Sequence, residues 1–224
     1  MAWFTADFNA FFKDLARHNN KEWFDANKAR YTRSAKEPFE AFVGDLIAAV
    51  AKVDKGVQIT PKEAIFRLHR DVRFSKDKTP YKTRMSAIVS RAGRHDHSAA
   101  GIYLELGPEN VGIYGGQYMP ERDAVQQIRE HIASHGKEFR KLYQAKPFQQ
   151  LFGEIQGERN KVLPAEFKEL VKDEPYIANK QFYFMAELPP SLVTSAKLLD
   201  TVMEHYQAMR PLNQFFAKAL GKVV

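Results

Sequence analysis

The spacing of apolar residues changes period twice along this chain, and that change restricts the folds open to it. Near the start, Phe4, Phe8, Phe11, Phe12 and Leu15 recur at steps of three and four, which sets them on one helical face. Asn19 followed by Glu22 reads as a capping-box-like helix start, with Trp23, Phe24 and Tyr31 on the helix that follows. A longer helix is expected from about Pro38, with the stripe Phe39, Phe42, Val43, Leu46, Ile47 and Val50, ending at Asp54-Lys55-Gly56. Thr60-Pro61-Lys62-Glu63 is a second capping box and opens at most a short helical turn.

The period then drops to two. Phe66, Leu68, Val72 and Phe74 alternate with Arg67, His69, Asp71 and Arg73, the pattern of a half-buried strand. Residues 85–91 form a second strand candidate, and 102–106 with 111–114 flank the turn Gly107-Pro108-Glu109-Asn110 as a hairpin. Residues 92–100 between them read as a mobile surface loop. Helical spacing returns after Met119-Pro120, with Ala124, Val125, Ile128 and Ile132 on one stripe and Phe139, Leu142 and Tyr143 beyond Gly136. A short helix fits 165–172, a returning strand fits 181–187, and a terminal helix over 194–220 should be kinked or split by Pro211. The expectation is an α+β fold in a single domain. A central, mostly antiparallel sheet (about 64–115 and 181–187) packs against N- and C-terminal helices. By segment, 1–63 is helical, 64–118 forms the sheet, and 119–224 is helical with one returning strand.

Composition removes several classes of chemistry. With no cysteine among 224 residues, disulfide frameworks, thiolate zinc sites and cysteine nucleophiles are excluded. The first residues have neither a basic region nor a long apolar run, and the longest apolar stretch, 46–51, is far short of a membrane span. A soluble cytoplasmic protein with no membrane partner is expected.

The net charge of +7 is concentrated. Residues 67–94 carry nine basic side chains (Arg67, Arg70, Arg73, Lys76, Lys78, Lys82, Arg84, Arg91 and Arg94) against Asp71 and Asp77, while the remainder of the chain balances. On a strand, Arg67, His69, Asp71 and Arg73 project to one side, and Arg70 falls with the apolar set, where a charge is costly unless paired. Thr79-Pro80 favours a turn that brings Lys76, Lys78 and Lys82 near the strand end, and Ser75, Thr79, Tyr81 and Thr83 could donate further hydrogen bonds. Arginine forks and mobile lysines suit phosphate or carboxylate oxygens. The competing reading is structural: Arg70 with Asp71, or Arg73 with Asp77, as ion pairs, and the lysines simply solvated. Residues 67–84 hold seven basic groups against two acidic ones, so internal pairing neutralises only two, which favours an anion site.

The string Arg67-Leu68-His69-Arg70-Asp71-Val72-Arg73-Phe74-Ser75-Lys76-Asp77-Lys78-Thr79-Pro80-Tyr81-Lys82 stands with Asn19-Asn20-Lys21-Glu22-Trp23-Phe24 upstream and Gly115-Gly116-Gln117-Tyr118-Met119-Pro120 downstream. Together they resemble a bacterial family catalogued as domain of unknown function 2461, over about Phe8 to Asn213. The resemblance implies a single-domain cytoplasmic protein and transfers no catalytic residue. In the family pattern His or Asn often follows the Lys-Thr pair; Arg84 departs from it and makes this copy more basic.

Other chemistry is sparser. Gly115-Gly116, after a strand and before a helix, either admits a phosphate between this turn and the basic strand or serves a hairpin exit. His69 beside Asp71 reads as an acid-base pair or a structural histidine, and Asp77 completes the weak catalytic candidates. His95 and His97 have no obvious third metal ligand beyond Asp96 and His69, so no metal site is expected; Asp71, Asp77 and Glu105 are conceivable magnesium carboxylates. No cofactor motif stands out. The first expectation for a partner is a phosphorylated or other anionic small molecule at Arg67, Arg70, Arg73, Lys76, Lys78, Tyr81, Lys82, Gly115 and Gly116, with catalysis on a phosphate-containing substrate left open. Nucleic acid, with Phe74, Tyr81 and Tyr118 stacking on bases, comes second, and a non-catalytic docking surface for an acidic partner third.

Overall fold

The computed structural model describes residues 2–95 and 100–222. Its four strands, β1 (Met85–Ser90), β2 (Gly101–Leu106), β3 (Val111–Gln117) and β4 (Phe182–Leu188), form one antiparallel sheet in that spatial order. Helices precede and follow it, so the fold is α+β. By Cα proximity the chain divides into two compact units: residues 1–95, 103–113 and 187–203, and residues 96–102, 114–186 and 204–224.

In the first unit the N-terminal stripe forms α1 (Ala6–Arg17), which buries Phe8, Phe11, Phe12 and Leu15. Asn20, not Asn19, caps α2 (Lys21–Ala26) by accepting the Trp23 N–H at 2.9 Å, because Asn19 is used elsewhere. A short α3 (Lys28–Tyr31) passes through a π-turn (Thr32–Lys36) into α4 (Glu37–Val53), whose six stripe residues are all buried. The capping box holds as read: Glu63 Oε2 accepts from both Thr60 N–H and Thr60 Oγ1–H and starts α5 (Pro61–Ala64). Each buried Phe of α1 and α4 contributes roughly 1.5–3 kcal/mol by leaving water, so these two helices supply much of this unit's core.

The strand expected over 66–74 does not form. Pairing is confined to the isolated bridges Ile65–Ala87 and His69–Tyr81, supported by Phe66 N–H to Ser86 O, Lys82 N–H to Leu68 O and Arg70 N–H to Pro80 O. The ladder stops there for two physical reasons. Pro80 has no N–H to return, and the backbone N–H groups of Arg73 and Thr79 are taken by the Asp71 and Asp77 carboxylates in local turns. Residues 65–66 still lie along β1, covering backbone groups that an edge strand would expose, and 68–70 lie along 80–82 just before it. The loop read over 92–100 begins with a 3-10 turn (Gly93–His95) in which Gly93 is buried at φ +56. His97 and Asp96 lie outside the described residues.

The second unit packs α6 (Arg122–Ser134), α7 (Gly136–Tyr143) and α8 (Lys146–Phe152) with β4 and part of α10 (Leu198–Ala219). Phe139, Phe148, Phe182, Phe184, Phe215 and Phe216 are its large buried side chains, in contacts such as Phe148 on Phe184 at 5.0 Å. The helix read over 165–172 is instead a 3-10 turn (Ala165–Phe167) and a four-residue α9 (Leu170–Asp173). Phe167 is the one buried side chain across them, too little to hold a longer helix. Pro211 does not split α10. Met209, Leu212, Phe215 and Phe216 are buried on either side of it, and that packing outweighs the ~3 kcal/mol a helical proline costs.

Candidate functional site

The basic segment folds around its own side chains. Arg70, its side chain 26% exposed, donates to the Asp77 carboxylate, to the Thr79 hydroxyl, to the Thr79 carbonyl at 3.3 Å and to Ser75 Oγ at 3.4 Å. Asp77 also accepts the Thr79 N–H at 2.9 Å and the Thr79 hydroxyl at 3.0 Å. These hydrogen bonds, that from the Thr79 backbone first and the Arg70 guanidinium next, hold the Asp77 carboxyl down at about 2. Arg73 pairs with Asp71 at 2.6 and 3.0 Å, and Lys78 donates to the Val72 carbonyl at 2.9 Å. The ion pairs considered from sequence therefore form with exchanged partners. The side chain of Phe74, 95% exposed, stands clear of this braced loop.

The segment is anchored at its far end by Tyr81. Asn19 grips its backbone from both sides, donating Nδ2–H to Tyr81 O at 2.9 Å and accepting Tyr81 N–H at 3.1 Å. The Tyr81 ring stacks on Phe24 at 4.2 Å, with His69 tilted against it at 4.9 Å. Tyr81 is 4% exposed, and His69 makes no hydrogen bond with a described residue, while Asp71 is held by Arg73.

Arg67, at the start of the segment, borders a cleft of about 550 Å³. Arg67 makes neither ion pair nor hydrogen bond with a described residue. Lys36, Lys62 and Arg94 are the other cations at this cleft, with Glu40 its one carboxylate, 3.9 Å from Lys36. Arg94 is fixed there by donating to the Lys62 and Ile65 carbonyls at 2.7 and 2.5 Å. Phe66, Leu68 and Met85 are among the apolar walls. Lys82 lies over the Phe66 ring at 5.5 Å and is half-buried, which pushes its pKa down; Glu105 opposes that shift and Arg67 adds to it. Tyr31 also lines the cleft. Burial first, and Glu40 second, push its phenol up to about 12.

A family described as conserved hypothetical protein (DUF2461) matches residues 7–215. The chain belongs to this family. No curated protein and no solved structure matches it.

The DUF2461 string thus divides into parts with different work. Arg70, Arg73, Asp71, Asp77 and Lys78 fold the loop, Tyr81 docks it, and Arg67 and Lys82 reach the cleft and its wall. Lys76 is exposed. Gly115 and Gly116 lie inside β3 rather than beyond it, in the second unit. A Cβ on Gly115 would sit 2.4 Å from the Phe184 ring, and one on Gly116, at φ +83, would sit 2.1 Å from Phe182 O. The Gly116 N–H is committed to Asn213 Oδ1 at 2.8 Å, so close packing accounts for both glycines. Glu105 is held by Arg84 and Tyr103, each at 2.8 Å. Asp71, Asp77 and Glu105 therefore each have protein partners, and among the described residues no group of three metal-ligating side chains occurs. The cleft residues Tyr31, Lys36, Lys62 and Phe66 were not singled out from sequence. Tyr31 followed Phe24 on what read as a core stripe, and the two lysines sit in other elements, so no one-dimensional signal joins them to Arg67.

Proposed function

We propose that this protein binds a phosphorylated or otherwise anionic small molecule in the cleft beside Arg67. The observation that carries the reading is a guanidinium with no ion pair or hydrogen bond to a described residue, at a cavity with three further cations and one carboxylate. The volume of about 550 Å³ lies in the range of small-molecule sites, roughly 300–1,000 Å³. Arg94, immobilised by two carbonyls, offers a charge already in position, which lowers the ordering cost of binding. A cytoplasmic setting, where phosphorylated metabolites are abundant, fits a cysteine-free chain in which no described helix is long and apolar enough to cross a membrane.

Thermal-shift titration with pyrophosphate, sugar phosphates and nucleotides tests the reading. Ligand at a hundred times its Kd should add about 2.7 kcal/mol of stability. Arg67→Ala should weaken binding about tenfold. Flat responses across the panel, or responses indifferent to Arg67→Ala, refute it.

Phe74 supports a second reading. An exposed aromatic next to Arg73, whose guanidinium lies 5.8 Å from its ring centre, suits stacking on a base of single-stranded nucleic acid. Tyr81, being buried, cannot add a second platform. Gel shifts with oligonucleotides should then weaken steeply with salt and disappear in Phe74→Ala; their absence removes this reading.

A further inference from the structure

The cations account for only part of the cleft. Phe66, Leu68 and Met85 present apolar surface, the last two buried, and the volume far exceeds what a bare phosphate fills. A compact, fully hydrated anion would leave the half-buried Phe66 ring facing water, whereas an anion with an apolar body would cover it. The Phe66 ring meets the Tyr103 ring in a T-shaped contact at 5.7 Å and has Lys82 at 5.5 Å from its centre, two contacts that restrict its rotation.

Tyr31 adds a polar demand on the same body. Its hydroxyl has one hydrogen-bond partner among the described residues, the Met85 thioether at 3.8 Å, and sulfur is a weak acceptor. A phenol that stays protonated throughout the physiological range, with its proton on so poor a partner, is a donor available to a ligand.

We infer that the cleft takes a phosphate carried on a flat aromatic body that also bears a hydrogen-bond acceptor. The cations at the cleft hold the phosphate, Phe66, Leu68 and Met85 hold the body, and Tyr31 donates to the acceptor. The inference rests on the anion-binding reading above and narrows it to one chemical class. It makes Tyr31 a specificity residue and Arg67 a general anion-binding one, two roles that separate by experiment.

The probes are 4-nitrophenylphosphonate, phenylphosphonate, 2-hydroxyethylphosphonate and inorganic phosphate, titrated calorimetrically into the wild-type protein, Tyr31→Phe and Arg67→Ala. Both aryl probes should bind at least tenfold tighter than 2-hydroxyethylphosphonate, from burial of the ring. Tyr31→Phe should weaken the nitro probe about fivefold and leave phenylphosphonate, whose ring bears no acceptor, unchanged, and Arg67→Ala should weaken every probe. Tyr31→Phe loses only a thioether contact, so its fold should persist, and an unshifted melting curve checks this. Equal affinity for aryl and hydroxyethyl probes, still sensitive to Arg67→Ala, overturns the aromatic class and leaves an anion site standing. A nitro-probe affinity indifferent to Tyr31→Phe overturns the role given to Tyr31. No binding of any probe, or binding indifferent to Arg67→Ala, overturns both this inference and the reading beneath it.

Discussion

Removing the Asn19 side chain should cost this protein far more stability than removing that of its neighbour, although the two asparagines look alike in sequence. Asn19→Ala leaves the Tyr81 N–H and C=O without their partners, at a residue 4% exposed. Each bond is worth about 1 kcal/mol net where water can take its place, and up to about 3 kcal/mol where the group stays dry. Two such groups give about 3 kcal/mol, or roughly 6–12 °C in Tm for a chain of this size. Asn20→Ala removes one exposed N-cap bond and should cost about 1 kcal/mol. Asn19→Asp sharpens the test. Its carboxylate can still accept the Tyr81 N–H but sets a second oxygen against the Tyr81 carbonyl, which raises the folded-state pKa above the unfolded one. The variant should be weakest near neutral pH and regain stability as pH falls through that raised value. Urea denaturation of the three variants at pH 7 and pH 4 supplies the measurement. An Asn19→Ala loss under 1 kcal/mol, or one no larger than that of Asn20→Ala, would show that the Asn19 clamp does not hold the segment in place.

Gly116→Ala should cost at least about 3 kcal/mol. The positive φ accounts for ~1–2 kcal/mol, and the contact with Phe182 O forces β3 and β4 to shift; a loss under 1 kcal/mol would show that the strands accommodate a Cβ. Two carboxyls should tilt stability with pH in opposite senses. Asp77, held at about 2, contributes stability above its unfolded value that is lost as pH falls from about 4 toward 2, and Asp77→Asn should flatten this acid limb. Glu174 is pushed up by burial, with Oε1 hydrogen-bonded to no described residue, so its contribution is lost as pH rises through the raised value. Glu174→Gln should therefore be more stable relative to wild type at pH 8 than at pH 4, by thermal melts at both. Phe74→Ser should leave stability within about 0.5 kcal/mol, and a larger loss would place the Phe74 ring against the protein rather than in solvent.

The helices were legible where an apolar stripe needed a face to bury, as in α1, α4 and α6, because the stripe is itself the cause of the packing. The same reasoning failed over 66–74, where alternation persists in a loop. The deciding signals were Asp71 two residues before Arg73 and Asp77 two before Thr79, where short carboxylates capture backbone N–H groups ahead of any ladder. Those Asp spacings and Pro80 are present in the sequence and favour turns over a continuous strand. The Asn19 clamp lay beyond such reading, because either asparagine could cap α2 and only the distant Tyr81 backbone separates them. The cleft was half legible. Arg67 stood in the charged segment, but Tyr31, Lys36 and Lys62 join it only through the tertiary fold.

The concentrated charge takes on a different meaning once its partners are known. Arg70, Arg73, Arg84 and Arg91 are each ion-paired, the last two to Glu105 and Asp54 from outside the segment, so four of the nine cations are locally neutralised. Of the rest, Lys78 and Arg94 bind carbonyl oxygens and Lys82 faces an aromatic ring, partners that orient a cation without cancelling its charge. A cation tied to a carbonyl has lost much of its conformational entropy and kept its field, the condition under which an anion gains most from it. Arg94 meets that condition at the cleft, and Arg67 stands there without an ion pair to a described residue. The sequence excess therefore marks a region whose charged residues divide between bracing a loop and lining a cleft. Those in the middle of the string build the loop, and the cations at the cleft are Arg67 and Arg94, from the two ends of the charged segment, with Lys36 and Lys62 from other elements.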